Sequence, residues 1–287
     1  MNNKFILKTI VALSKLVRLI NLLMIVLVQY LVSFYLIEIP HEINAYKAFT
    51  VLVFCTILIT AGGYIINDYH DVKIDAINKP RRVLIGRSVN RRIALAIYFV
   101  FNTLSFAIGW YMLSLKIALI FLLAILLLWW YSSQLKRLPF VGNLAVAALT
   151  ALSVLIIGVH FQQYSDALFV FAGFAFLISI IREIVKDIED MQGDVTYGCR
   201  TLPIILGMRK VKRLLYGLLF LLTLFMIAAS VYSLNALQGF FILLLLPLLF
   251  FMSVRLARAD TTKHFKNISL LCKIIMLLGS FGIVFAQ

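Results

Sequence analysis

Long apolar runs divide the chain, and this pattern restricts its possible folds more than any other feature. A helix that crosses a bilayer needs roughly 20 mostly apolar residues. With 63% hydrophobic and 14% charged residues, the chain departs from soluble domains, which are about 45–50% apolar and about 25% charged. We therefore predict an all-α polytopic membrane protein, with a single transmembrane domain over residues 1–287. The predicted spans are 19–38, 49–66, 93–113, 117–131, 141–159, 167–185, 213–232, 237–255 and 268–286.

Positive charge is concentrated on one side of these spans. The chain has 27 Lys and Arg residues against 12 Asp and Glu, a formal net charge of +15. If the N-terminus is cytoplasmic, every Lys and Arg falls on the cytoplasmic side except Lys47, Lys116 and Lys273. Because basic residues favour cytoplasmic loops, we predict nine helices in the cell (inner) membrane, with a cytoplasmic N-terminus. Most of the charge then reflects topology, and no nucleic-acid partner is expected.

Most of the acidic residues form two clusters, at the inner ends of the second and sixth predicted spans. Each cluster contains three aspartates at positions i, i+3 and i+7, which share one face of a helix. Like charges at this spacing repel each other, so a cation is expected to offset them. The alternative is a solvated helix end, with Lys73 and Lys186 as local partners. The first stripe is Asp68, Asp71 and Asp75, with Asn67 on the same face, and the second stripe is Asp187, Asp190 and Asp194.

The chemistry of the two stripes points to magnesium and a diphosphate. Mg²⁺ is usually held by one or two carboxylates together with substrate phosphates and waters. All six stripe aspartates and Asn67 are predicted metal ligands, and Asp71 and Asp190, at the stripe centres, are predicted to be catalytic. Basic side chains near the stripes suit phosphate oxygens, although topology explains any one of them alone. The predicted diphosphate-binding residues are Lys79, Arg81, Arg82, Arg87, Lys136 and Arg200.

These motifs resemble those of the UbiA-type intramembrane prenyltransferases. The segment 67–75 resembles the family's NDxxDxxxD motif, and 190–194 resembles its DxxxD motif. Tyr131 and Lys136 resemble its Tyr…Lys motif with one extra intervening residue, and the resemblance implies a catalytic role for both. It also implies nine helices around a central cavity, an active site that faces the cytoplasm, and Mg²⁺-dependent transfer of a prenyl group from an allylic diphosphate to a lipophilic acceptor.

The acceptor is open at this point. The run 186–194, followed by 201–203, looks most like the branch of the family that prenylates geranylgeranylglyceryl phosphate with a geranylgeranyl group. Prenylation of an aromatic quinone precursor, of the 4-hydroxybenzoate or naphthoate type, is the alternative. An ion-coupled transporter is a distant alternative, because the acids lie at span ends rather than at mid-membrane. The expected partners are a prenyl diphosphate, the acceptor and membrane lipid, without an obligate protein partner.

Overall fold

The computed structural model describes residues 12–232, 239 and 241–286, and every regular element within them is a helix. A 3₁₀ turn at Leu135–Arg137 follows the fourth helix, a π-helical stretch at Phe241–Leu245 precedes the tenth, and a 3₁₀ turn at Gly282–Phe285 follows the last. The prediction of an all-α protein is confirmed. In chain order the α-helices are α1 (Leu19–Tyr35), α2 (Ile43–Asn78), α3 (Arg91–Met112), α4 (Leu115–Ser133), α5 (Val141–Phe161), α6 (Asp166–Glu189), α7 (Met191–Thr196), α8 (Leu202–Leu206), α9 (Met208–Tyr232), α10 (Leu246–Ala257) and α11 (Thr262–Phe281).

Seven described helices are long and apolar enough to cross a membrane. They are α2 to α6, α9 and the segment Thr262–Phe285 that contains α11. Two shorter apolar helices, Leu19–Tyr35 and Leu243–Ala257, occupy parts of the first and eighth predicted spans. Part of the remainder of the eighth predicted span lies outside the described residues. Lys4 and Lys8, two of the basic residues used to predict the orientation, also lie outside them. These helices fit an integral membrane protein.

Polar side chains in some of the breaks between helices cap the helix that follows. The Ser114 hydroxyl accepts a hydrogen bond from the backbone N–H of Ile117 at 3.2 Å. Ser165 caps α6 in the same way through the N–H of Leu168, also at 3.2 Å. The break at Ser114 carries little polarity in sequence, yet it ends α3 and begins α4 as predicted.

The chain forms two compact units. The first comprises the described residues up to Leu27 together with Pro40–Leu135, and the second comprises Val28–Ile39 and the residues from Lys136 onward. In the first unit, α2 packs against α3 and α4. A buried apolar cluster lies beside the part of α2 that leads into the first stripe. Because it includes Ile85 and Val89 of the loop between α2 and α3, it holds that loop against α2. Its members are Leu16, Ile65, Ile66, Ile85, Val89, Ala94 and Tyr98.

In the second unit, α6 packs against α5, α9 and α11. Gly279 of α11 allows a close approach to Phe174 of α6. A Cβ atom at this position would lie 2.3 Å from two ring atoms of Phe174. Phe174 is itself buried, so its ring has little room to move. The prediction of a single domain for residues 1–287 stays a prediction.

We expect Gly279→Ala to destabilise the protein by roughly 1–3 kcal/mol, the usual cost of overpacking a tight interior. The expected result is a lower midpoint of thermal unfolding for the detergent-solubilised full chain. Gly217→Ala is the matched control, because no atom lies within 4 Å of the added Cβ there. Equal midpoints for the two variants would show that α6 and α11 can separate at no cost.

Candidate active site

The first stripe lies on one uninterrupted helix. Helix α2 runs for 36 residues, from Ile43 to Asn78, so it continues well past the apolar run that ends near Ile66. Asp68, Asp71 and Asp75 therefore share a face one turn apart, as predicted. All three side chains are partly buried. The apolar part of α2 therefore continues directly into a row of carboxylates near the C-terminal end of the same helix.

Arg18 contacts this stripe directly. Its Nη2 atom donates a hydrogen bond to Oδ1 of Asp68 at 2.8 Å, and its guanidinium lies 4.7 Å from the ring centroid of Tyr64. The Tyr64 hydroxyl accepts a further hydrogen bond from Nδ2 of Asn21 at 3.2 Å. In the sequence, Arg18 was interpreted only as one of the basic residues that indicate the membrane orientation. Sequence reasoning therefore missed this ion pair.

Arg18 is held in an unusual backbone conformation, with φ of 53°. It lies in the turn between a helical stretch at 12–16 and α1. Burial lowers the pKa of Arg18, but the charge of Asp68 and further nearby groups raise it by more, so the pKa lies above its ordinary value. The guanidinium therefore keeps its charge, and the first stripe carries a fixed cation at Asp68.

His70, inside the first motif, is not part of the stripe. Its ring packs edge-on against Trp129 of α4, with centroids 5.9 Å apart. Trp129 also contacts Tyr98 at 5.5 Å. Next to His70, Tyr69 has the Arg91 guanidinium 4.8 Å from its ring centroid. These aromatic contacts join α2 to α3 and α4 next to the residues of the first stripe.

The loop after α2 carries four of the predicted diphosphate-binding residues. Arg81, Arg82 and Arg87 are exposed, and Lys79 is partly buried. The loop folds back on itself at Gly86, whose φ of 86° favours glycine. Its Arg87 side chain donates a hydrogen bond to the Pro80 carbonyl at 2.9 Å. The structure therefore gives Arg87 a loop-closing contact, while Arg81 and Arg82 extend from the same loop into solvent.

The second stripe is interrupted, which corrects the expectation of one continuous helix. Helix α6 ends at Glu189, and Asp190, with φ of −96° and ψ of 2°, joins it to the six-residue α7. Asp187 and Asp194 consequently lie on different helices. Gly193, a weak helix former, lies within the short helix. The same i, i+3, i+7 spacing therefore places the aspartates of the first stripe on one helix face, but those of the second stripe on two helices joined at Asp190.

Asn143 and Glu183 extend the polar group around the second stripe. Nδ2 of Asn143, at the start of α5, donates a hydrogen bond to Oδ2 of Asp187 at 2.8 Å. Glu183, one turn before Asp187 on α6, is buried and forms ion pairs with Arg182 and, at 3.6 Å, with Lys186. Neither Asn143 nor Glu183 is among the site residues predicted from the sequence, so sequence reasoning missed both contacts.

Backbone contacts connect the basic residues of the second unit to the second stripe. The N–H of Arg200 donates to the carbonyl of Arg137 at 2.8 Å, and the N–H of Cys199 donates to the carbonyl of Asp194 at 2.9 Å. Lys136 therefore lies in a 3₁₀ turn that is fixed to the segment following α7. Tyr131, its predicted catalytic companion, is partly buried near the end of α4 in the first unit.

The side chains of both stripes suit a hard divalent cation. They offer carboxylate oxygens, which are the ligands that Mg²⁺ prefers. Within the described ranges, no compact group of three or more His, Cys, Asp or Glu side chains is formed. Because Mg²⁺ commonly takes one or two carboxylates and completes its shell with waters and phosphates, carboxylates spaced one turn apart fit an open site of this kind.

Comparison with known proteins identifies the family. The model of the UbiA prenyltransferase family matches residues 23–272. A digeranylgeranylglyceryl phosphate synthase of Thermococcus gammatolerans is 44% identical over 164 residues, covering 56% of this chain and 58% of the relative. The synthase of the same name from Methanosphaera stadtmanae is 32% identical over 226 residues, covering 78% of this chain and 82% of the relative. The chain thus spans less than two thirds of the first relative and about four fifths of the second.

Solved structures share the fold. A structure of digeranylgeranylglyceryl phosphate synthase superposes with a TM-score of 0.70 at 22% identity, covering 97% of this chain and 98% of that one. A UbiA homolog from Archaeoglobus fulgidus, bound to DMAPP and Mg²⁺, gives a TM-score of 0.66 at 16% identity, with coverages of 96% and 99%. With a family match across most of its length and a relative aligned over most of both chains, this chain belongs to the UbiA prenyltransferase family.

Proposed function

We propose that this protein transfers a geranylgeranyl group from geranylgeranyl diphosphate to geranylgeranylglyceryl phosphate and releases diphosphate, in a reaction that needs Mg²⁺. The observation that carries the proposal is the row of partly buried carboxylates on α2, at the end of an apolar helix and beside a cationic loop. A family member bound to DMAPP and Mg²⁺ and relatives named for the glyceryl phosphate reaction support the same conclusion.

The two stripes have the same role in this proposal. Asn67 and the six stripe aspartates supply the oxygens that hold Mg²⁺ with the diphosphate, and Asp71 and Asp190 are the central ligands. Bound Mg²⁺ would neutralise negative charge that develops on the leaving diphosphate. Lys136, Arg81, Arg82 and Arg200 add positive charge for the same oxygens, with Lys79 and Arg87 beside them. Tyr131 presents an aromatic face to the cationic prenyl carbon.

The bond changes in the proposed reaction are simple. The allylic C–O bond to the diphosphate breaks and its electron pair leaves with the diphosphate. The acceptor hydroxyl oxygen then forms an ether bond to the same carbon, and its proton is released. A cation-like prenyl group reacts with any water present, so the apolar helices must exclude water. The seven long apolar helices are suited to this, and they also accommodate the lipid tails of both substrates.

We also propose nine spans, with the N-terminus and both stripes on the cytoplasmic side of the cell (inner) membrane. The two shorter apolar helices complete the nine, since short spans are accommodated by local bilayer thinning. The distribution of Lys and Arg supports the orientation. With an even number of crossings between them, the loop after α2 and the segment after α6 lie on the same side.

Single-cysteine labelling tests this topology. The native Cys55, Cys199 and Cys272 are buried, so an added exposed cysteine is expected to dominate labelling by a membrane-impermeant maleimide. In intact cells we expect Glu42→Cys to react and Ser88→Cys to react only after the membrane is opened. Both native residues are exposed, which makes them a matched pair. Labelling of Ser88→Cys in intact cells would reverse the proposed orientation.

The direct test of the proposed reaction is an assay of the membrane-embedded full chain with geranylgeranyl diphosphate and Mg²⁺. Geranylgeranylglyceryl phosphate, 4-hydroxybenzoate and a naphthoate acceptor are supplied in parallel, and the products are identified by mass. The proposal predicts a digeranylgeranylglyceryl phosphate product. Prenylation of an aromatic acid alone would instead assign the protein to quinone biosynthesis.

A further inference from the structure

We infer that Arg18 and Asn143 are matched positioning residues, each of which fixes the first carboxylate of one stripe for metal binding. This inference rests on the proposed function. Arg18 donates to Asp68 at 2.8 Å, and Asn143 donates to Asp187 at 2.8 Å. Asp68 and Asp187 are both at position i of the i, i+3, i+7 spacing, so the two contacts are made at the same position of the two stripes.

Both donors come from an element that precedes the stripe helix in the chain. Arg18 lies in the turn that leads into α1, and Asn143 lies in the first turn of α5. Both elements begin at a strained position, because Arg18 has φ of 53° and Phe140, which caps α5, has φ of 66°. Non-glycine residues adopt such values only where the surrounding structure enforces them. The surrounding structure therefore holds the backbone at Arg18 and at Phe140, three residues before Asn143, in a defined conformation.

Neighbouring groups restrict the donors further. The Arg18 guanidinium rests on the Tyr64 ring at 4.7 Å, and Asn21 holds the Tyr64 hydroxyl. Asn143 is only 5% exposed, so its amide has few alternative partners. Each contact holds one oxygen of its carboxylate and so restricts the orientation of the whole carboxylate group. Hydrogen bonds of this kind orient metal ligands, and losing one typically weakens metal binding or activity 10–100-fold.

The two donors differ in charge, which decides the choice of variants. Removing the charge of Arg18 would strengthen the attraction of the stripe for Mg²⁺ and hide a loss of orientation. Arg18→Lys keeps the charge but loses the planar guanidinium that can stack on Tyr64 and hydrogen-bond at the same time. Asn143→Leu keeps the size and neutrality of the side chain but removes the donor. Both changes therefore isolate positioning from charge.

The chain offers a control for each variant. Arg91 also stacks on a tyrosine, with its guanidinium 4.8 Å from the Tyr69 centroid, so Arg91→Lys repeats the arginine change. Gln29 is a fully buried amide that donates to the Ser153 carbonyl at 3.0 Å, so Gln29→Leu repeats the amide change away from the stripes.

Two measurements on the purified full chain test the inference. The first is the dissociation constant of Mn²⁺ in the absence of substrate, measured by electron paramagnetic resonance. The second is the Mg²⁺ concentration that gives half-maximal turnover of geranylgeranyl diphosphate. In Arg18→Lys and Asn143→Leu we expect both values to rise by about 10-fold or more, while kcat at saturating Mg²⁺ recovers to within about twofold. The controls are expected to match the wild type.

The outcomes separate this inference from the proposed function. Unchanged Mn²⁺ affinity and Mg²⁺ dependence in an active, folded Asn143→Leu or Arg18→Lys protein would overturn the positioning role alone. A lower kcat that excess Mg²⁺ does not restore, with unchanged metal affinity, would also overturn it and indicate a general structural role. A wild-type protein that neither binds Mn²⁺ nor turns over the diphosphate would reject both. If the wild type binds Mn²⁺ but has no turnover, the Mn²⁺ comparison still decides the inference.

Discussion

Asp71→Asn and Asp190→Asn are each expected to lower turnover of geranylgeranyl diphosphate by about 10³-fold or more. Each substitution removes a central ligand from a proposed site in which Mg²⁺ stabilises the leaving diphosphate, a contribution of several kcal/mol. About 1.4 kcal/mol corresponds to a factor of ten in rate. Because asparagine is close to aspartate in size, packing around the side chain is preserved. The measurement is kcat at saturating Mg²⁺ for the full chain in lipid.

Asp260→Asn is the control for these two variants. Its carboxylate is mostly exposed and pairs with Lys212 at 3.3 Å, and it belongs to neither stripe. We expect its turnover to stay within about twofold of the wild type, since a surface ion pair contributes little. Near-normal activity in either stripe variant, with unchanged thermal unfolding, would contradict the role of that stripe.

Removal of divalent cations is expected to abolish turnover completely. After treatment with EDTA and desalting, no cation offsets the negative charge of the stripe carboxylates and of the incoming diphosphate, so like charges oppose binding. Activity should return on addition of Mg²⁺. Residual turnover in EDTA, at more than about one hundredth of the Mg²⁺ rate, would be inconsistent with a metal-bridged diphosphate.

A second measurement on the EDTA-treated protein, its thermal unfolding, separates metal loss from loss of structure. The helices are apolar and seven of them are long enough to span a membrane, so the fold is not expected to depend on the metal. Thermal unfolding should therefore change little in EDTA, while activity is lost. A large fall in the unfolding midpoint would instead assign the cation a structural role.

The helical architecture and the first stripe could be predicted from sequence because both depend on local periodicity. Apolar runs of membrane-spanning length specify helices directly, and a polar residue such as Ser114 ends one helix and caps the next. The first stripe kept its predicted geometry because α2 continues without interruption through Asn78. No Gly or Pro falls between Asp68 and Asp75 to break the helix.

The rest of the site depends on backbone conformations and long-range contacts that periodicity does not encode. The spacing of the second stripe is identical, yet the chain leaves the helix at Asp190. Arg18 reaches Asp68 from a turn in which its own φ is 53°, and in sequence it is one basic residue among several near the first span. Asn143 meets Asp187 because α5 packs on α6, which is a tertiary arrangement.

The most direct test of the account is product formation by the wild type and Asp71→Asn side by side. Each full chain is placed in lipid vesicles with labelled geranylgeranyl diphosphate, geranylgeranylglyceryl phosphate and Mg²⁺, and the diether product is quantified by mass. The account predicts abundant digeranylgeranylglyceryl phosphate from the wild type and about a thousandth of that rate or less from Asp71→Asn. Equal product from both proteins, or none from a folded wild type, would contradict it.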